Sequence, residues 1–482
     1  MPRRALLLAA LLGSTLSACG TSPEEYRPEI KESERQLGAE QHPQLLAEFG
    51  GAYDAPEAAY VKRIGEKLAG TAGLSGQCTF TLVNSDVVNA FAVPGCYVYV
   101  TRGLMGIVNS EAELASVLSH ELGHIVAAHS ARQQKRSLWR QLGVLAVGMV
   151  TGSEGLTRLA GNAAQYFTLR YSRKQEYESD DFGILYLRRA GYDPYAASDM
   201  LTALARNEQY TAGTRGRDEA KGIPEWARTH PLTEHRIERS RDAAAATGLG
   251  DDDLPENEAG FMREVDGLLY GDDPAQGFVL GRRFVHPVMR IGFEAPQGFT
   301  LTNSPQAILI EGPDGTRGEF GGGRMPAGGL EEYTRLVAEQ LLKGAPAQAS
   351  TPEPIQANGV PGLIVPLLVQ TQQADLQLTI AAFDPGNGAA YHFLMVSRPL
   401  PDLSVLAGLF QSFRLVPAEE AARLRPRVIR VVTAGAGDDA ESLAGRMVSD
   451  HPLEHFLMLN GRSAQQPLQP GERVKIVRWA GS

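Results

Sequence analysis

The sequence predicts a multidomain chain: an α-rich (α+β) domain over residues 35–250, a small α+β domain over 279–417, and a compact terminal unit over 426–482. Three observations carry that prediction. The stretch "LSHELGHIVAAHS", residues 118–130, lies inside a helical pattern that opens with a helix-start signal. Helix-period segments dominate up to about residue 250, whereas strand-like runs rich in Val, Ile, Leu and Phe dominate from 279 to 417. Between the two regimes, the acidic stretch "GLGDDDLPENE" opens a segment, 251–278, that reads as a linker with room for one short helix.

Residues 1–18 read as a processing signal: Arg3 and Arg4 precede the apolar run "ALLLAALLG", and "LSAC" ends at Cys19. That order resembles a bacterial lipobox. The resemblance implies cleavage before Cys19 and lipidation of that residue, and Gly20 in place of Asp favours the outer membrane. An ordinary secretory signal peptide is the alternative. A polar tether, 19–34, follows. The apolar run "LGVLAVGMV", 142–150, is far short of the ~20 residues that span a bilayer, so it reads as a buried helix or a flap over a cleft. A net charge of −10 and no block of Lys or Arg argue against nucleic-acid binding.

Within the first domain, "FTLVNSDVVNAFAVPGCYVYVTRGL" alternates around a Pro-Gly break and predicts two strands. Cys78 and Cys96 both fall in strand-like segments, so they form either a cross-strand disulfide or two buried thiols. Ser110 followed by Glu113 is a capping box that starts the motif helix. A second long helix is predicted over 173–190, stopped by Gly191, and a third begins at Asp193-Pro194. Residues 207–222 read as a mobile loop, and helix resumes in "WARTHPLTEHRIERSRDAAAA". The domain at 279–417 offers no catalytic constellation.

His120 and His124, at i and i+4, leave the same face of a helix and can converge on one metal ion. Glu121 is placed to act on a water beside the ion instead of binding it. A catalytic zinc site needs a third protein ligand and an open position. His129 points off the ligand face if the helix continues, and reads as an ordinary helix-end histidine. Glu176 on the second helix is the better candidate, with Asp180 one turn later able to accept the free N–H of a ligating histidine. Glu178 alternates away from both.

"HELGH", "EYESD" and "THPLTEHR" together resemble the gluzincin zinc metallopeptidases related to the CAAX prenyl proteases and the periplasmic outer-membrane-assembly protease, over about residues 35–245. The resemblance implies one zinc held by His120, His124 and Glu176, Glu121 as general base, and Asp180 in support. It also implies that His230 stabilises the transition state or, in a latent form, takes the open position, with Arg236 bracing the region. His235 falls outside the matched pattern and reads as a surface residue. Asn89, Ala90 and Phe91 match the family's edge strand, which would hold substrate as an added strand. Cys96 stands where the family commonly has Gly, and Ser179 where it commonly has Ala.

The terminal unit resembles a LysM domain, a βααβ module that binds glycans such as peptidoglycan, through Gly437-Asp438, Leu443-Ala444, Leu459-Asn460 and Pro470-Gly471. Ala436 and Asp439 replace the usual Pro and Thr in the loop that would line the glycan groove. The expected protein is therefore a lipid-anchored zinc endopeptidase at the periplasmic face, cleaving unfolded or misassembled envelope proteins. The alternatives are a latent peptidase that serves mainly as a peptidoglycan-binding or chaperone-like module, and a peptidoglycan hydrolase.

Overall fold

In the computed structural model, which describes residues 28–130, 171–214, 230, 234–342, 346–370, 375–399 and 404–481, the motif helix runs through the middle of the first core. Cys19, the apolar run 142–150 and the 215–222 part of the expected loop lie outside the described residues. Element numbers below follow chain order over the elements named.

Helices α1 (Glu32–Glu48) and α2 (Pro56–Thr71) precede a three-stranded sheet of β1 (Thr79–Val83), β2 (Ala90–Val93) and β3 (Tyr97–Thr101). β3 is central, parallel to β1 and antiparallel to β2, so β2 is an edge strand. The Pro-Gly break is a turn in which Gly95 and Cys96 both adopt positive φ, 85° and 64°. That conformation suits glycine far better than a residue with a side chain, as Cys96 has. Here a disulfide to Cys78 holds the cysteine in place.

After the short α3 (Arg102–Ile107) comes α4 (Glu111–Val126), the motif helix, in which every residue except Ile125 is buried. A helix buried on all sides needs its ends tied by protein groups, and the first turn shows how. Ser110 Oγ accepts the Glu113 N–H at 3.0 Å. The return half of the expected capping box is displaced by one residue: the Glu113 carboxylate accepts from the Asn109 N–H at 2.7 Å. Glu111 accepts from the hydroxyls of Tyr60 and Tyr192 and from the amide of Asn257, so three separate segments anchor the helix start.

α5 (Arg173–Ala190) packs along α4 and stops at Gly191 in the left-handed conformation. α6 (Ala196–Thr214) begins after a turn in which Asp193 accepts the Tyr195 N–H. It continues through 207–214, which the sequence assigns to a loop. The reason is tertiary: Asn207 is buried, and Tyr210 stacks on His455 of the terminal unit at 5.1 Å. α7 (Glu234–Ala245) closes this region.

The stretch read as a linker is structural. It forms α8 (Glu258–Val265) and the short strand β4 (Leu269–Tyr270), and Phe261, Val265 and Leu268 are completely buried in the same core as α2 and α4. The buried Arg102 donates to the carbonyls of Leu269 and Gly271.

The terminal unit runs β5 (Arg427–Thr433), α9 (Ala440–Ala444), α10 (Pro452–Leu459), β6 (Arg473–Trp479). Its antiparallel pair extends onto β4, giving the order β6-β5-β4. Ile429 and Met458 join the core of the first domain. Lys475 is completely buried, and its Nζ donates to the carbonyls of Gly106 and Val108, at 2.9 and 2.6 Å, just before α4. Burial pushes its ammonium down while Glu113 opposes the shift.

Between these parts, an eight-stranded antiparallel sheet runs in spatial order Ala347–Ala349, Val360–Gln370, Asp375–Phe383, Ala389–Ser397, Arg317–Arg324, Ile308–Glu311, Thr300–Asn303, with Glu353–Ala357 also on Val360–Gln370. A four-stranded sheet and the helices Gly329–Leu342 and Ser404–Gln411 complete an α+β domain around Phe284, Phe293, Phe320, Phe383, Phe393 and Phe410. The strand Arg317–Arg324 escapes sequence reading because "GGG" carries no strand signal. It pairs because Tyr391 fills the space beside it: a Cβ on Gly322 would lie 2.8 Å from that ring.

These joints can be tested by substitution. Replacing Lys475 with Ala leaves two buried carbonyls without a donor and should cost about 1–3 kcal/mol, read as a lower denaturant midpoint of the first domain. The Glu256 carboxyl is raised to about 7 by burial and by Asp199, from an ordinary 4.5. The folded state therefore binds more protons between those values, and stability falls as pH rises through that window. Glu256→Gln should raise the thermal midpoint at pH 8 and leave it unchanged at pH 4.

Candidate metal centre

α4 supplies His120 and the adjacent Glu121, with His124 one turn later, and α5 supplies Glu176 and Asp180 from successive turns. The two helices come close because of what they lack at the crossing. A Cβ on Gly123 would lie 2.9 Å from the Ser179 carbonyl oxygen and 3.2 Å from Phe182. The glycine in "HELGH" and the small Ser179 thus set the depth at which Glu176 reaches the histidines.

His120, His124, Glu176 and His230 form one buried group whose candidate ligand atoms all lie within 4.8 Å of one another. The two Nε2 atoms of His120 and His124 are 3.0 Å apart. Glu176 stands 3.6 and 3.5 Å from them through Oε2 and Oε1. His120 Nδ1 faces the Asp180 carboxylate at 2.9 Å and must donate to it, so the neutral ring directs its Nε2 lone pair at the cluster. Burial holds both His120 and His124 below the usual imidazole range, in the neutral form that binds metal. Two imidazole nitrogens and a carboxylate, buried and facing one point, are a donor set that fits zinc.

Arg236 braces the far side. It donates to both oxygens of Asp180, at 2.8 and 2.7 Å, and pairs with Glu176 Oε2 at 2.8 Å. Burial alone would raise the Asp180 carboxyl, but Arg236 and His120 hold it well below the usual range. Burial would likewise raise Glu176, and His230 and Arg236 outweigh it. His235 is exposed, as its position outside the matched pattern implies.

His230 lies with Nδ1 at 3.1 and 3.2 Å from the Glu176 oxygens and 3.4 Å from His120 Nε2, and with Nε2 at 3.7 Å from Glu121. Burial lowers its affinity for a proton, and the two carboxylates more than restore it. Glu121 is buried, its Oε1 has no hydrogen-bond partner among the described residues, and burial pushes its carboxyl up to about 7. The Ala92 backbone holds its carboxylate from β2, which places the edge strand against the motif helix. Asn89, Ala90 and Phe91 are buried at the start of that strand, where Phe91 stacks on Tyr99.

Two groups of the centre escape sequence reading. His129 is no ordinary helix-end residue. The helix stops at Val126, and Ala128 takes a positive φ of 50°, which turns the chain back and buries His129 under His124. Tyr171, beside the start of α5, stacks its ring on His124 at 3.9 Å. No spacing signal marks either one: His129 follows a break in the helix at Ala127 and Ala128, and Tyr171 precedes α5.

A side chain at position 123 should separate the two helices. Gly123→Val is expected to destabilise the protein by about 1–3 kcal/mol and to weaken zinc binding more than any substitution at exposed His235, measured by chelator competition.

Residues 55–244 match the profile described as Peptidase family M48. Among curated relatives, the Beta-barrel assembly-enhancing protease of Yersinia pestis is 32% identical over 211 residues, 42% of each chain. The protein of the same name from Escherichia coli strain K12 is 31% identical over 195 residues, 38% of each chain. The Mitochondrial metalloendopeptidase OMA1 of Arabidopsis thaliana is 35% identical over 125 residues, 26% of this chain and 25% of that one. The chain therefore spans less than half the length of these relatives. With the paired histidines on α4 and the carboxylate on α5 meeting at one buried point, residues 55–244 form a domain of peptidase family M48, the gluzincin metallopeptidases whose metal is zinc.

Proposed function

We propose that the protein is a zinc-dependent endopeptidase of the bacterial envelope, anchored through lipid on Cys19 and acting on unfolded or misassembled envelope proteins. The observation that carries the catalytic part is Glu121. A buried carboxylate oxygen without a hydrogen-bond partner costs stability, and this one sits beside the donor set instead of in it.

His120, His124 and Glu176 would hold the zinc, which when bound supplies a Lewis acid for the scissile carbonyl and acidifies water. Glu121 takes the proton from the attacking water and returns it to the leaving amine. The Ala92 backbone fixes the carboxylate for both transfers. His230, 3.7 Å from Glu121, provides the cationic or hydrogen-bonding group for the developing oxyanion. β2 pairs with no second strand among the described residues, so its outer edge can take an extended peptide by main-chain hydrogen bonds. Recognition of that kind favours unfolded segments and tolerates many side chains. The names of the Yersinia and Escherichia relatives support an envelope setting. In this reading attachment rests on lipid; no described helix is long and apolar enough to cross a membrane.

The terminal unit is read as LysM-like, on its β-α-α-β order and antiparallel strands, with peptidoglycan as the glycan it would contact. One observation favours a second reading, a latent peptidase. His230 lies within ligand reach of the same point as the other three donors and could close the open position.

Zinc content and cleavage of casein or an unfolded porin, measured on the chain beginning after Cys19, separate these readings. The unmodified protein should carry one zinc and cleave. Glu121→Gln should keep the zinc and lose cleavage by roughly a hundredfold or more. His230→Ala should lower cleavage if the histidine assists the transition state and raise it if the histidine closes the site. Zinc without any cleavage in all three forms would sink the peptidase reading.

A further inference from the structure

The two histidines of the zinc set are oriented by different means. His120 donates directly to Asp180, which Arg236 clamps from two sides. Among the described residues, His124 has no carboxylate at that position. Its Nδ1 lies 2.8 Å from Nδ1 of His129, whose Nε2 lies 3.1 Å from Oε2 of Glu178. The rings of His124 and His129 meet edge to face, with centroids 4.9 Å apart at 68°.

We propose that His129 and Glu178 are positioning residues that fix the tautomer and direction of His124, and thereby set how tightly the site holds its metal. The inference rests on the reading of His120, His124 and Glu176 as zinc ligands and deepens it.

The proton inventory along this chain leaves little choice. A carboxylate only accepts, so Glu178 calls for an N–H on His129 Nε2. A neutral His129 then has its lone pair on Nδ1, and that atom can only accept from His124. His124 therefore carries its N–H on Nδ1 and offers a lone pair at Nε2, the atom that faces His120 and Glu176. Reversing the order would aim an N–H at the point where the metal belongs. Ser179 Oγ, 3.4 Å from His129 Nδ1, adds a polar contact at the same junction.

The backbone is shaped to allow this. Only the left-handed turn at Ala128 brings a residue five positions after His124 back beneath it, a conformation with a cost for any residue but glycine. His129 ends with no exposed surface, whereas the Glu178 side chain is 37% exposed. The carboxylate that orients His124 thus stands one imidazole further away, and wetter, than the one that orients His120. The His124 arm of the site is the weaker of the two and the one a single surface substitution can reach.

The test is zinc affinity, by competition with a chromogenic chelator, for the chain beginning after Cys19 and for His129→Leu, His129→Asn and Glu178→Ala, each with the thermal midpoint of its metal-free form. His129→Leu keeps bulk but removes the acceptor, and should weaken zinc by about 10–100-fold, the usual effect of losing such a partner. His129→Asn restores an acceptor near the Nδ1 position and should recover most of that loss. Glu178→Ala, one imidazole further from the metal, should weaken zinc by about 10-fold, the lower end of that range. The absorption bands of the cobalt(II)-loaded protein should shift in the Leu variant and return in the Asn variant. Equal affinities in all four proteins would overturn the inference, as would matched losses in Leu and Asn that only track a lower metal-free midpoint. If His129→Leu does not fold, Glu178→Ala decides alone: a loss supports the pair and no loss overturns it. An unmodified chain that binds no zinc would instead defeat the underlying reading of the ligand set.

Discussion

The contact on which the rest of the site depends is the close crossing of the motif helix and the helix that begins at Arg173. At Gly123 there is no room for a side chain, since the Ser179 carbonyl would lie 2.9 Å from its Cβ. That approach lets a carboxylate one turn away reach between two histidines, and it puts Asp180 against His120. Every charged group brought in with it is answered by another. Asp180 and Glu176 share Arg236, and Arg236 is itself buried and surrounded by acceptors. A buried charge network of this kind adds little net stability but holds a geometry, because breaking any one pair leaves a charge stranded. The site is therefore expensive to disturb.

The same logic explains why the motif helix tolerates burial on all sides. Its N-terminal turn is held by Glu111 through three donors from different segments, and the loop before it by Lys475 from the opposite end of the chain. The terminal unit is therefore part of the support of the metal helix. His455, stacked on Tyr210 and bonded to the Tyr270 hydroxyl at 2.6 Å, ties it further to α6 and β4.

Much of the centre is legible in the order of amino acids. His120, Glu121 and His124 follow from a period of 3.6 residues, and Glu176 and Asp180 share a face of a second helix by the same rule. Periodicity misleads where a pattern is taken to continue beyond its end. A helix extended past Val126 carries His129 off the ligand face, and the turn at Ala128 reverses that placement. The polarity of residues 207–214 outweighs their period and suggests a loop, yet contact with His455 keeps them helical. The segment 251–278 has the composition of a linker, while three of its apolar residues lie in the main core.

The sequence by itself determined which residues can carry zinc chemistry, that two helices bear them, and that a separate α+β domain follows, since these depend on residue type and local periodicity. Tertiary structure alone decided how deep the two helices cross, that Cys78 and Cys96 are joined, and that His129 stands behind His124. It also decided that the terminal unit closes on the motif helix through Lys475. Those outcomes turn on contacts between residues far apart in the chain and on single backbone torsions, and neither leaves a periodic trace in the order of amino acids.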